Sequence, residues 1–145
     1  MPIKTFRGKI ADGIQDTIVL HTNNGATGYR IKKFQGIGAE PGTTGMESTL
    51  KIYKVKQSAV NNAVDFSDQT LLGVCYVTDN AGRQLDVSSA VIFDEEVFNQ
   101  DIYITHEDTL GSEACNYYIE LEQMKLDLNE NTVATLKDIR NIKGQ

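Results

Sequence analysis

Apolar residues along this chain fall in short runs separated by Gly, Asn and Asp, the rhythm of strands and turns. Ile3 to Ile10 is the first expected strand, closed by Asp12-Gly13. Asp16 to His21 carries Ile18, Val19 and Leu20 and stops at Asn23-Asn24-Gly25, residue types that tolerate a positive φ. Gly28 to Phe34 follows at a spacing that allows a hairpin between the second and third runs. Thr49 to Lys56 puts Leu50 and Ile52 on one face, Tyr53 and Val55 on the other. Leu71 to Thr78 is almost continuously apolar, as in a central strand buried on both faces. A turn at Asp79 to Gly82 leads into Arg83 to Val87, and Ala90 to Phe93 is a further run. Asp101 to His106 alternates Ile102 and Ile104 with Tyr103 and Thr105. The cleanest alternation is Cys115 to Gln123. There Cys115, Tyr117, Ile119 and Leu121 face one way, and Asn116, Tyr118, Glu120 and Glu122 the other. Such a period of two gives one buried and one solvated face.

Three stretches break this rhythm. Gln35 to Ser48 holds Gly36, Gly38, Gly42 and Gly45 with Pro41 and lacks apolar periodicity, so a long mobile contact loop is expected over 35–48. Gln57 to Ser67 is polar and small and reads as a second excursion with a helical turn. Near the C-terminus the period changes: Asp127 precedes Glu130 in a capping-box spacing, and Val133, Leu136 and Ile139 recur at helical intervals. Lys137, Arg140 and Lys143 suit the negative end of a helix dipole, and the expected helix spans 129–141. Together these elements predict a single all-β domain over 1–145, an antiparallel β-sandwich of jelly-roll-like type with a short C-terminal α-helix. A closed barrel is the alternative.

Composition narrows the function classes. The chain has 145 residues, 40% hydrophobic and 23% charged, close to the globular average. No run approaches the roughly 18 apolar residues of a membrane-spanning helix. Met1 to Ile10 has no apolar core, so no secretory leader is expected. A net charge of −6 argues against nucleic-acid binding by the whole surface. The charge is uneven: basic residues outnumber acidic ones up to Lys56, and acidic ones dominate after it. Two explanations are open, basic and acidic strands paired within one sheet or a two-signed surface that docks copies or partners head to tail. Cys75 and Cys115 lie in apolar runs without a CxxC spacing. They read as buried reduced side chains, with a bridge between neighbouring strands as the alternative.

The chemistry-bearing motifs are thin. The chain has no P-loop, GxGxxG, HExxH or GxSxG. His21 and His106 are its two histidines, and His106 before Glu107-Asp108 reads as a solvated turn. Asp94-Glu95-Glu96 offers at most two converging oxygens to Ca²⁺. Asp65 with Asp68, or Glu120 with Glu122, are the pairs that glycosidase chemistry would need, the latter on the wet face. No cofactor, metal or enzymatic activity is expected. The candidate contact residues are Ile37 and Met46 in the Gly-rich stretch and Tyr53, Tyr103 and Tyr118; the tyrosines read either as a contact patch on one outward face or as ordinary cross-strand pairs.

In Asn99 to His106, in Cys115 to Glu122 and in Asn131 to Arg140 the chain resembles small virion structural proteins of tailed bacteriophages, particularly marine ones. That resemblance covers about the last third. It implies a β-sandwich that decorates or cements a capsid, or sits in a tail or fibre base. The implied partners are the major capsid protein or other virion proteins, and the implied state is a homo-oligomer, with a trimer favoured. A virion location, assembled in a host cytoplasm, goes with it. A carbohydrate- or receptor-binding module of a phage tail or fibre is the alternative.

Overall fold

The computed structural model describes residues 2–79, 87–93, 96–127 and 135. Among the described residues eight strands run in chain order: β1 (Ile3–Ile10), β2 (Gln15–Ile18), β3 (Thr27–Gly38), β4 (Met46–Tyr53), β5 (Leu71–Asp79), β6 (Val87–Ile92), β7 (Ile102–Asp108) and β8 (Cys115–Lys125). They form two sheets, one of three strands ordered β1-β8-β3 and one of five ordered β2-β7-β4-β5-β6. Every pairing is antiparallel. The sheets pack face to face as a sandwich-like, all-β unit.

The core is the meeting of the two inner faces. From the three-stranded sheet come Ile10, Ile31, Phe34, Cys115, Tyr117, Ile119 and Leu121; from the five-stranded sheet come Leu50, Ile52, Cys75, Val77, Ile102 and Ile104. The alternation expected for β8 holds, its four named apolar residues being buried. Full burial of a Leu or Ile side chain contributes roughly 1.5–3 kcal/mol, so these inner faces supply most of the drive to fold. Both cysteines are free and buried, and they stand on different sheets. Burial pushes the Cys115 thiol up to about 12, with Cys75 and Asp108 adding to it, which makes it a packing group rather than a nucleophile.

Several expectations are corrected. The second and third runs do not form a hairpin: β2 pairs with β7 and β3 with β8. The Asp101 carboxylate accepts the amides of Leu20 and His21, groups a hairpin partner would have needed, and the chain turns away towards the other sheet. The stretch 35–48 is not one loop, because β3 runs to Gly38 and β4 starts at Met46. Gly36 and Gly38 are there for close approach. A Cβ on Gly36 would stand 2.7 Å from Leu50 and 2.9 Å from Val77, and one on Gly38 would collide with Met46. Only 39–45 is irregular, with Gly42 at φ 83°. Val87–Ile92 is one strand where two runs were expected, and 80–86 lies outside the described residues. Of the expected helix 129–141 only Thr135 is described, its Oγ1 accepting from Asn99 Nδ2 at 2.9 Å. No helical turn appears in 57–67.

Candidate functional site

The two sheets differ on their outer faces. On the five-stranded sheet, β4 and β7 present Thr49, Lys51, Tyr53, Tyr103 and Thr105 outward, and the chain between β4 and β5 covers part of that face. Lys51 is 3% exposed and Tyr53 7%. The Lys51 ammonium donates to the Ala63 carbonyl at 2.6 Å and to Asn61 Oδ1 at 3.2 Å, and lies 5.5 Å from the Tyr53 ring centroid. Desolvation lowers its pKa, with Asp68 and Glu107 opposing the shift. Tyr53, Leu71 and Val74 form a small second core with Phe93, on whose ring Phe66 packs edge-on. Beside it Lys54 pairs with Glu96.

The outer face of the three-stranded sheet is exposed and cationic. Arg7 and Lys9 on β1 and Arg30, Lys32 and Lys33 on β3 stand against Glu120 and Glu122 on β8. The outward row of β4 and β7 in the five-stranded sheet reverses the balance, with Lys51 against Glu47 and Glu107. Cross-strand pairs do occur: Arg30 bonds Glu122, and Lys33 lies opposite Glu120. Charge nevertheless separates by sheet. The hydrogen bond from Arg30 holds Glu122 below the usual carboxylate range. Tyr118 donates to Glu120 Oε2 at 2.7 Å, which raises the phenol's pKa.

A cleft of about 430 Å³ opens on this face, lined by Arg7, Gly8, Lys9, Gln35, Ile37, Asn116, Tyr117 and Tyr118. Register explains it. Arg7, Tyr118 and Gln35 lie opposite one another across the three strands, as do Lys9, Asn116 and Ile37 two residues on. Between these rows the next residues point into the core, so the cleft has side-chain walls and a backbone floor. Arg7 and Lys9 have no hydrogen-bond or ion-pair partner among the described residues.

The candidate contact residues scatter. Ile37 is 60% exposed and Tyr118 half-buried, both in the cleft. Met46 is 2% exposed and belongs to the core, because the close approach at Gly38 admits its thioether. The three tyrosines do not share a face: Tyr53 and Tyr103 are direct cross-strand partners on the five-stranded sheet, and Tyr118 is on the other. Period two fixes a side relative to its own strand, and sheet membership is a separate question.

His106 is also corrected. It is fully buried in β7, with Nδ1 3.1 Å from the Ala11 carbonyl and Nε2 2.8 Å from Ser48 Oγ. A carbonyl can only accept, so Nδ1 carries a hydrogen and donates to Ala11, while Nε2 shares a hydrogen bond with the Ser48 hydroxyl. The pair has the composition of a nucleophile and base, yet both side chains are sealed from solvent and together tie β4 and β7 to the end of β1. Sequence spacing gave no hint of Ser48. Asp108 braces the same end. Burial opposes its ionisation, but the amides of Glu47, Glu113, Leu110 and Gly111 outweigh it and hold the carboxyl below its usual value. The carboxylate pairs are engaged in turns and cross-links: Asp65 binds Ser67, and Asp68 binds Thr70. Asp94 and Glu95 lie outside the described residues. Among the described residues no group of three or more His, Cys, Asp or Glu could hold a metal ion.

No family model matches the sequence, and no curated protein matches it. One solved structure, from work on Bacillus endospore appendages described as a novel family of disulfide-linked pili, aligns with 87% of this chain and 88% of that chain. The identity is 11% and the TM-score 0.40, a likeness that carries no argument about function.

Proposed function

We propose that this protein is a structural assembly protein, a virion component of the capsid decoration or cement class, that holds its place through many modest contacts. The reading extends to a jelly-roll-like topology, a C-terminal helix over 129–141, and a homo-oligomer, trimeric for preference, seated on the major capsid protein or another virion protein. The observation that supports it is the asymmetry of the outer faces. One is covered in part by the protein's own chain, over Lys51 and Tyr53, while the other leaves an excess of cations facing solvent. A cationic sheet face complements an acidic partner surface, steers encounter and fixes orientation. Repetition across a lattice then raises avidity through effective concentration without strong single contacts.

The test is sedimentation of the purified chain with tailed-phage capsid shells, over a salt series. The expected outcome is co-sedimentation that weakens as salt rises and is lost in the variant Lys32→Glu/Lys33→Glu. A chain that stays in the supernatant at low salt would remove the reading. The carbohydrate-binding alternative loses the patch expected for it, since Tyr53 and Tyr103 are on the opposite sheet from Tyr118.

A further inference from the structure

We infer that the cleft framed by Arg7, Lys9, Gln35, Ile37, Asn116 and Tyr118 is a binding site for an acidic carbohydrate, a saccharide bearing carboxylate or sulfate groups. The inference rests on the cleft alone and goes beyond the docking reading.

The argument is a match of functional groups. Arg7 and Lys9 stand on the β1 wall without an internal partner among the described residues, and no acidic side chain lines the cleft. That wall accommodates an anion. The facing residues ask for something more than an anion. Gln35 and Asn116 carry amides, which both donate and accept, and hydroxyl groups are the ligands that do the same. Asn116 uses one N–H on the Gly38 carbonyl at 3.3 Å, which sets the amide's orientation, while no bond within the described residues involves its Oδ1. The Tyr118 phenol is oriented by its hydrogen bond to Glu120, so its ring is positioned before any ligand arrives. With exposed Ile37 it gives the apolar surface on which the C–H face of a sugar ring packs. A bare carboxylate or phosphate would use the cations and leave the amides, the ring and Ile37 unmatched. A neutral sugar would leave both cations unmatched. At about 430 Å³ the cleft falls within the roughly 300–1,000 Å³ typical of small-molecule sites. Its open form suits a short stretch of a longer glycan. The lining residues come from three paired strands, a rigid frame that keeps the ordering cost of binding low.

Calorimetric titration of the full chain in 0.15 M salt tests this. Four probes are used: a hexauronate, a sulfated hexasaccharide, a neutral hexasaccharide of glucose, and polyglutamate. Binding of the hexauronate or the sulfated probe, at least tenfold tighter than both the neutral sugar and polyglutamate, is the expected result, and the tighter of the two identifies the acidic group. Asn116→Ala and Arg7→Gln should each weaken that binding at least fivefold, while Lys32→Ala, a cation outside the cleft, should change it less than twofold. Arg7 is exposed, so its variant keeps the test intact if Asn116→Ala folds poorly. Binding of neither acidic probe overturns the inference. So does polyglutamate binding as tightly as the sugars, since it would assign the interaction to surface charge. Neither result bears on co-sedimentation with shells, which uses Lys32 and Lys33.

Discussion

On the outer side of the five-stranded sheet, Lys51 and Tyr53 lie under the segment that joins β4 to β5, and the lysine's donors are met by Ala63 and Asn61. On the outer side of the three-stranded sheet, Arg7, Lys9, Lys32 and Lys33 face water with no covering segment among the described residues. Both are outer faces of antiparallel sheets, which tolerate water on one side. The difference lies in what a cover would have to satisfy. Burying one lysine requires a few well-placed acceptors. Burying a face that carries Arg7, Lys9, Arg30, Lys32 and Lys33 requires an acidic surface, because an unpaired buried charge is costly. The chain's own excursion, small and polar, suits the first task and not the second. The exposed face is thus left for water or for an acidic partner.

The contrast makes equivalent residues behave differently, and the strongest test compares two tyrosines. Tyr53→Ala should lower stability by about 3 kcal/mol, since it removes a buried ring from the second core. Tyr118→Ala on the other sheet should leave the urea midpoint within experimental scatter. Equal losses would show that both faces are covered in solution.

Two carboxylates give the next comparison. Asp108 and Glu122 are both held below their ordinary values, the first by backbone amides against burial, the second chiefly by Arg30. A depressed folded value means that the contribution is fully present above the unfolded pKa of about 4 and is lost as pH falls through the folded one. Asp108→Asn should cost about 2 kcal/mol at pH 7 and flatten the acid limb of the stability curve. Glu122→Gln should leave that limb nearly intact, because its ion pair is partly solvated and screened. Acid melts of both variants read this directly, and a limb that follows Glu122 instead would reverse the assignment.

The smallest effect involves two threonines. Thr105 Oγ1 is buried under the covered face with no hydrogen-bond partner among the described residues. Thr105→Val should therefore raise stability by about 1 kcal/mol. Thr5 sits opposite Glu120 on the exposed face, and Thr5→Val should change little. A destabilising Thr105→Val would mean that the hydroxyl has a partner in solution.

Local pattern made some of this legible and concealed the rest. The bounds of β1, the inner face of β8 and the burial of both cysteines follow from alternation and side-chain type, which act over neighbouring residues. Gly36 and Gly38 misled, because a glycine chosen for a near contact with Leu50 or Met46 is indistinguishable in sequence from one chosen for flexibility. His106 misled because the carbonyl and hydroxyl that satisfy it come from Ala11 and Ser48, far away in the chain. The cleft was invisible for the same reason: its walls join β1, β3 and β8, and only Ile37 and Tyr118 were singled out beforehand.

By itself, the sequence determined that this protein is built of short strands with one apolar side each, because a period of two is a property of consecutive residues. The tertiary structure alone decided which strands share a sheet, which outer face is covered, and that the cations gather on the other. Those outcomes depend on pairing between distant segments, where register and charge complementarity across strands, and not local propensity, set the energy.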